Sequence, residues 1–267
     1  MEYFFTGVVF IFGLLIGSFI NVLALRFGFE ESPRHRSACQ SCAETLHWYE
    51  LIPVVSYLAL RGKCRACGSK ISLQYPLVEL GVGILFAVSY SMAVPFISVF
   101  QFIGFIGLLF FWSAFVVLLL YDIRHTLVPT AFVVPLVAGA FFVRICEALT
   151  LQAAFPIYDA LFGACALGAA FLAIVLVTRG KGMGLGDVYV SVALGALFGL
   201  ARGIEVVTLA FWIGAVVGIL LIALKKKVRM KSEVPFVPFL FVAALIGAYT
   251  TISPFALVGA FTTLLWP

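Results

Sequence analysis

Tyr3 to Leu25 reads YFFTGVVFIFGLLIGSFINVLAL, 23 residues without a charge, in which Ser18 and Asn21 are the conspicuous polar positions. At about 1.5 Å per residue such a helix crosses the roughly 30 Å hydrocarbon layer of a bilayer. The only charge ahead of it is Glu2. A secretory leader carries a basic start, a shorter apolar core and a small-residue cleavage site, so this stretch is expected to be a retained span. Further apolar stretches follow at about 76–94, 98–121, 130–149, 158–178, 188–200, 205–224 and 236–251, and an apolar tail runs on to Trp266. Run length and the lack of period-two alternation make them helices rather than barrel strands. The expected fold is all-α: a polytopic membrane protein of about eight transmembrane helices.

Composition agrees. Of 267 residues, 64% are hydrophobic and only 11% charged, against about 25% charged in ordinary globular domains. That leaves too little polar surface for a soluble fold. With the N-terminus outside, segments 26–75, 122–129, 179–187 and 225–235 share one face and carry 15 of the 17 Lys and Arg; Arg144 and Arg202 fall toward the other. By the positive-inside rule the basic face is cytoplasmic. The net charge of +5 therefore records orientation and gives no reason to expect nucleic acid. The run Lys225–Lys231 reads as an anchor beside anionic lipid. No internal repeat of the transporter type is visible. Three parts are expected: residues 1–26 as the first helix, 27–75 as a cytoplasmic loop, and 76–267 as a transmembrane core.

The loop holds Cys39-Gln40-Ser41-Cys42 and Cys64-Arg65-Ala66-Cys67, two Cys-x-x-Cys pairs with 21 residues between them. Two such knuckles can present four thiolates tetrahedrally to zinc, and Gly68 suits the tight turn after the second pair. Disulfides and idle thiols are the alternatives, the first disfavoured in a reducing cytoplasm. Four protein ligands leave no open position, so the metal would be structural and would stabilise a loop too short to build a core of its own. Cys146 and Cys165 lie in apolar spans and read as small buried hydrophobes.

Among the twelve acids, Asp122, in LLLYDIRHTLVP, and Asp187, in RGKGMGLGDVYV, fall at the same membrane edge. An ionisable group at membrane depth is a functional candidate by default. Two adjoining carboxylates share a proton near neutral pH, the state an aspartic protease uses to activate water and polarise a peptide carbonyl. Gly182, Gly184 and Gly186 would admit close backbone just ahead of Asp187. The plainer readings are a helix cap for Asp187 and an interfacial pair with Arg124 or His125 for Asp122.

These motifs, taken in order, resemble the type IV prepilin peptidase family of bacterial inner membranes. They are Gly17-Ser18-Phe19-Ile20-Asn21-Val22, the four cysteines, Tyr75-Pro76-Leu77-Val78-Glu79, Asp122 ahead of Pro129, Gly184-Leu185-Gly186-Asp187, and Val234-Pro235-Phe236-Val237-Pro238-Phe239. The resemblance implies a bifunctional enzyme. It would remove the short basic leader of type IV prepilins or type II secretion pseudopilins after a glycine, at the cytoplasmic face, and then methylate the new N-terminus, often Phe, with S-adenosylmethionine. Asp122 and Asp187 would be the catalytic pair. Glu50 and Glu79 match acidic positions of the family near the methylating part and are the candidates for cofactor binding. Tyr189, Thr130 and Val237 depart from residues common in the family. Other readings of the same residues are a protease of the Gly-x-Gly-Asp type with a different helical substrate and a cation carrier or channel.

Overall fold

A computed structural model describes residues 1–27, 37–224 and 235–256; the Lys225–Lys231 run and the part of the apolar tail from 257 on lie outside the described residues. The described chain is helical: α1 (Glu2–Arg26), α2 (Val55–Ala59), α3 (Gln74–Ala93), α4 (Val99–His125), α5 (Thr130–Leu151), α6 (Phe155–Thr178), α7 (Leu185–Ala223) and α8 (Val237–Tyr249), with a 3-10 turn at Trp48–Leu51. Six of these, α1 and α3 to α7, are long and apolar enough to cross a membrane, whereas α8 has 13 residues.

The difference from eight expected spans lies in α7. At Gly199 the backbone leaves the helical region (φ 73°, ψ −173°), a conformation open essentially to glycine alone. A Cβ placed on Gly203 would lie 3.6 Å from the Cα of Gly195. In a straight helix eight residues span about 12 Å. The chain therefore folds back at Gly199, and α7 is a hairpin of two helices, which restores eight apolar helical segments among the described residues.

Packing divides the chain into two compact units, Met1–Pro95 and Phe96–Pro267. In the first, α1 and α3 meet along an antiparallel seam of period four. A Cβ on Gly13 would strike the Cα of Gly83 at 2.8 Å, and one on Gly17 the Cα of Glu79 at 2.7 Å. One turn further, the buried Asn21 amide donates to the Tyr75 carbonyl at 3.2 Å. Small residues four apart let two helix backbones approach closely, the usual device where lipid supplies no hydrophobic drive.

In the second unit the loop 126–129 joins α4 to α5 and short turns continue into α6, so successive helices run antiparallel. Edge-to-face rings hold α8 on α4: Phe115 and Phe241 have centroids 5.1 Å apart at 89°, and Trp112 and Phe241 6.0 Å at 88°. Such pairs add about 0.5–1.5 kcal/mol beyond burial.

At the end of this unit remote from Asp122 sit the two arginines that break the charge pattern, and both are tied down. Arg144 bonds Glu147 at 2.7 Å and Asp159 at 2.9 Å, while the other Asp159 oxygen takes the Leu200 amide at 3.0 Å just past the hairpin bend. Arg202 pairs with Glu205 and donates to the carbonyls of Gly247, Thr250 and Ile252, which closes the C-terminus of α8.

A Cβ on Gly199 would run into the Asp159 carboxyl. Gly199→Ala is expected to lower the melting temperature of the detergent-solubilised protein by several degrees, through backbone strain of about 1–3 kcal/mol and loss of the Asp159 contact. Gly218→Ala, facing open space, should leave it unchanged.

Candidate active site and metal centre

Asp122 lies in the last turn of α4 and is only 4% exposed. Its Oδ2 accepts the amide of Val237, the first residue of α8, at 3.2 Å. The carboxylate therefore sits at a helix N-terminus, where the backbone dipole favours negative charge. Its partner is an amide of α8 rather than the neighbouring cation that the plainer reading of Asp122 invoked. The aromatic packing of α8 on α4 holds that amide in place.

Asp187, the third residue of α7, is half-buried, and its Oδ2 accepts the Gly184 amide at 3.2 Å. This is the reach-back bond of an acid at the third position of a helix, so Asp187 helps close the start of α7 from inside it and is not its N-cap. It uses one oxygen only. A Cβ on Gly186 would collide with the side chain of Val128 in the loop that follows α4. The absence of that Cβ lets the loop lie on the start of α7, which brings the chain ends that carry the two carboxylates toward each other. Like charges so placed are costly at a membrane edge unless a proton is shared between them.

The four loop cysteines form a second site, in the first unit. Their sulfurs all lie within 4.8 Å of one another, with Cys39 and Cys67 at 3.9 Å. Tetrahedral zinc with Zn–S bonds of about 2.3 Å spaces its sulfurs by about 3.8 Å. The two knuckles repeat the same backbone bonds with a shift of 25 positions. The Cys39 amide bonds the Glu44 carbonyl at 2.9 Å and the Cys64 amide the Ser69 carbonyl at 2.8 Å. Ala38 bridges Thr45 as Lys63 bridges Lys70. Ala43 (φ 62°) takes the left-handed place that Gly68 (φ 72°) takes in the second knuckle.

The thiols are prepared unequally for a cation. The amides of Cys42 and Ser41, then the Ser69 hydroxyl, hold the Cys39 thiol down to about 6, and Ser69 likewise lowers Cys67. Against the lowering effect of the Glu44 amide, burial and the three other cysteines push Cys42 up to about 12. Four thiolates thus repel until a dication supplies the missing charge. The donor set fits zinc.

Glu50 and Glu79 are not joined by any hydrogen bond among the described residues. Glu50 accepts the His47 amide at 2.8 Å and closes a capping box on the turn Trp48–Leu51. Glu79 is 6% exposed and accepts the Val54 amide at 2.7 Å. Sequence reasoning missed the Val237 amide, which carries no side-chain signal, and Val128, whose only trace is the glycine at 186. It also missed the ties that hold Arg144 and Arg202.

Two family models match the chain, the Bacterial Peptidase A24 N-terminal domain over residues 11–93 and the Type IV leader peptidase family over residues 108–219. The chain is also 32% identical over 244 residues to the prepilin leader peptidase/N-methyltransferase of Bacillus subtilis, covering 87% of this chain and 89% of that one. The chain belongs to the type IV leader peptidase family. A protein of the same description from Pseudomonas aeruginosa is 32% identical over 266 residues, 88% of this chain and 87% of its own length. The one from Myxococcus xanthus is 34% identical over 236 residues, 84% of this chain, which spans 65% of that protein's length. No solved structure matches the chain significantly. The two family models fall one in each compact unit, with the four-cysteine cluster in the first and the two aspartates in the second.

Metal analysis of the purified full-length protein is expected to give about one zinc per chain. Cys39→Ser and Cys64→Ser should each reduce this to near zero. A metal-free wild type, prepared without chelator, would contradict the assignment.

Proposed function

We propose that Asp122 and Asp187 are the catalytic pair of a membrane aspartic endopeptidase that removes the leader of type IV prepilins or pseudopilins. We further propose that the chain methylates the exposed N-terminus using S-adenosylmethionine. The observation that supports the first reading is that two acids, each steadied by one backbone amide, stand at the end of α4 and the start of α7, and that Gly186 admits the loop leaving α4 against that start. Family membership and the relatives' shared description support both activities.

In such a site the ionised aspartate takes a proton from water as the water oxygen attacks the scissile carbonyl. The protonated one gives its proton to the carbonyl oxygen, and the amine leaves with the proton first taken from water. The backbone bonds fit this division of labour. Amide donors aimed at Oδ2 fix each carboxyl plane and leave Oδ1 for water and substrate. Val237 contributes through its main chain, so valine can stand where the family commonly has glycine without removing the donor. S-adenosylmethionine supplies an electrophilic methyl group when bound; the chain's part is to hold the acceptor amine beside it. Zinc held by the four cysteines would brace the loop and take no part in proton transfer.

The 15 basic residues on one face support an inner-membrane placement with the aspartates toward the cytoplasm, where a basic leader would meet them.

Mass spectrometry of a prepilin co-expressed with the enzyme reads both steps. Wild type should yield a pilin lacking its leader and carrying one added methyl group. Asp122→Asn and Asp187→Asn, inserted at normal levels, should each leave it uncut, with at least a thousandfold loss of rate. Full cleavage by either variant would remove that residue from the catalytic pair.

A further inference from the structure

The buried carboxylate that peptide cleavage does not use is Glu79. It lies in the second turn of α3, 6% exposed, where a Cβ on Gly17 would touch its Cα. The absence of that Cβ brings α1 down onto it. Ser18, the next residue, stands beside the carboxylate, and one turn along the same seam Asn21 is fully buried, accepting from Gln74 at 3.4 Å and donating to Tyr75 at 3.2 Å. The motifs Gly17–Val22 and Tyr75–Glu79 are thus two sides of one polar cluster.

The loop contributes as well. Val54 stands at φ 61° and ψ −48°, a strained place for a β-branched residue, and in that conformation its amide reaches Glu79 Oε2 at 2.7 Å. Strain of this kind persists where surrounding structure over-determines it, and it concentrates at functional sites. The ion pairs among the described residues are Arg144–Glu147, Arg144–Asp159 and Arg202–Glu205; Glu79 is in none of them. A backbone amide and a hydroxyl ask only for a neutral acceptor, which glutamine would supply without the cost of burying a charge. A carboxylate kept there at that cost implies a cation that arrives with a ligand.

We propose that Glu79, with Ser18 and Asn21 beside it, binds a primary ammonium group taking part in the methyl transfer. This rests on the methyltransferase reading above. Two ammonium groups fit that chemistry: the α-ammonium on the methionine portion of S-adenosylmethionine, and the new α-ammonium of the trimmed pilin, which gives up one proton, to Glu79 or to water, before its nitrogen attacks the methyl group. A compact N–H₃⁺ with three donors suits a carboxylate flanked by a hydroxyl and an amide.

The test is Glu79→Gln in the full-length protein in membranes, which keeps an acceptor for Val54 and removes the charge. Three quantities are read: leader removal, methylation of the trimmed pilin, and binding of radiolabelled S-adenosylmethionine. Cleavage should stay within twofold of wild type while methylation falls at least tenfold. If S-adenosylmethionine binding weakens by a similar factor, the methionine ammonium is the occupant. If it is unchanged, the pilin amine is. A variant that methylates like wild type overturns the site. So does one that loses cleavage together with methylation, since Glu79 would then serve folding alone. A wild type that trims but never methylates is a different failure, that of the methyltransferase reading, and it removes this occupant with it.

Discussion

Hydrocarbon offers no hydrogen bonds, so every polar group that enters the membrane must find its partner within the protein. Most buried polar residues of this chain follow from that constraint; among the described residues the Trp112 indole nitrogen is the buried side-chain polar atom without a partner. Arg144 and Arg202 each gather carboxylates and carbonyls that also fix where helices end and turn. Asn21 joins α1 to the first turn of α3. Asp122 is met by the first amide of α8, and the position of α8 is set in turn by rings packed edge-to-face on α4. The same bonds that make these groups tolerable in lipid align the groups that do chemistry.

Glycine provides the other half of the arrangement. At Gly13 and Gly17 its missing side chain brings two helices together; at Gly186 it admits Val128 and with it the end of α4; at Gly199 its backbone freedom turns one long apolar stretch into a hairpin. Each of these places a polar group: Glu79 beside Ser18, Asp187 toward Asp122, Asp159 against Leu200.

Much of this could be read from the residues. Long apolar runs marked the spans, because a helix that must cross lipid has little freedom in composition. The tetracysteine spacing marked the cluster of four sulfurs, since knuckle geometry is local and repeats with the sequence. Asp122 and Asp187 stood out because acids are so scarce. The hairpin at Gly199 was visible as two apolar runs, 188–200 and 205–224, but the reason for the break was not, as it depends on Asp159 some forty residues earlier. The amide of Val237 left no mark, because a main-chain donor is the same in every residue type but proline. The ties of Arg144 and Arg202 were hidden for a related reason: charge counts report sidedness, and say nothing about which carbonyls a guanidinium will reach. Glu79 and Glu50 looked alike as acids near the loop, and only burial separates them.

Whether Asp122 and Asp187 work as one unit is decided most directly by a double-mutant comparison of cleavage rates. Groups that act together lose nearly everything with the first substitution and little more with the second. The rate for the combined Asp122→Asn and Asp187→Asn protein should therefore match that of either single variant. Effects that multiply, with the double variant slower than each single one by the other's full factor, would mean that the two carboxylates act independently and that no shared catalytic site exists.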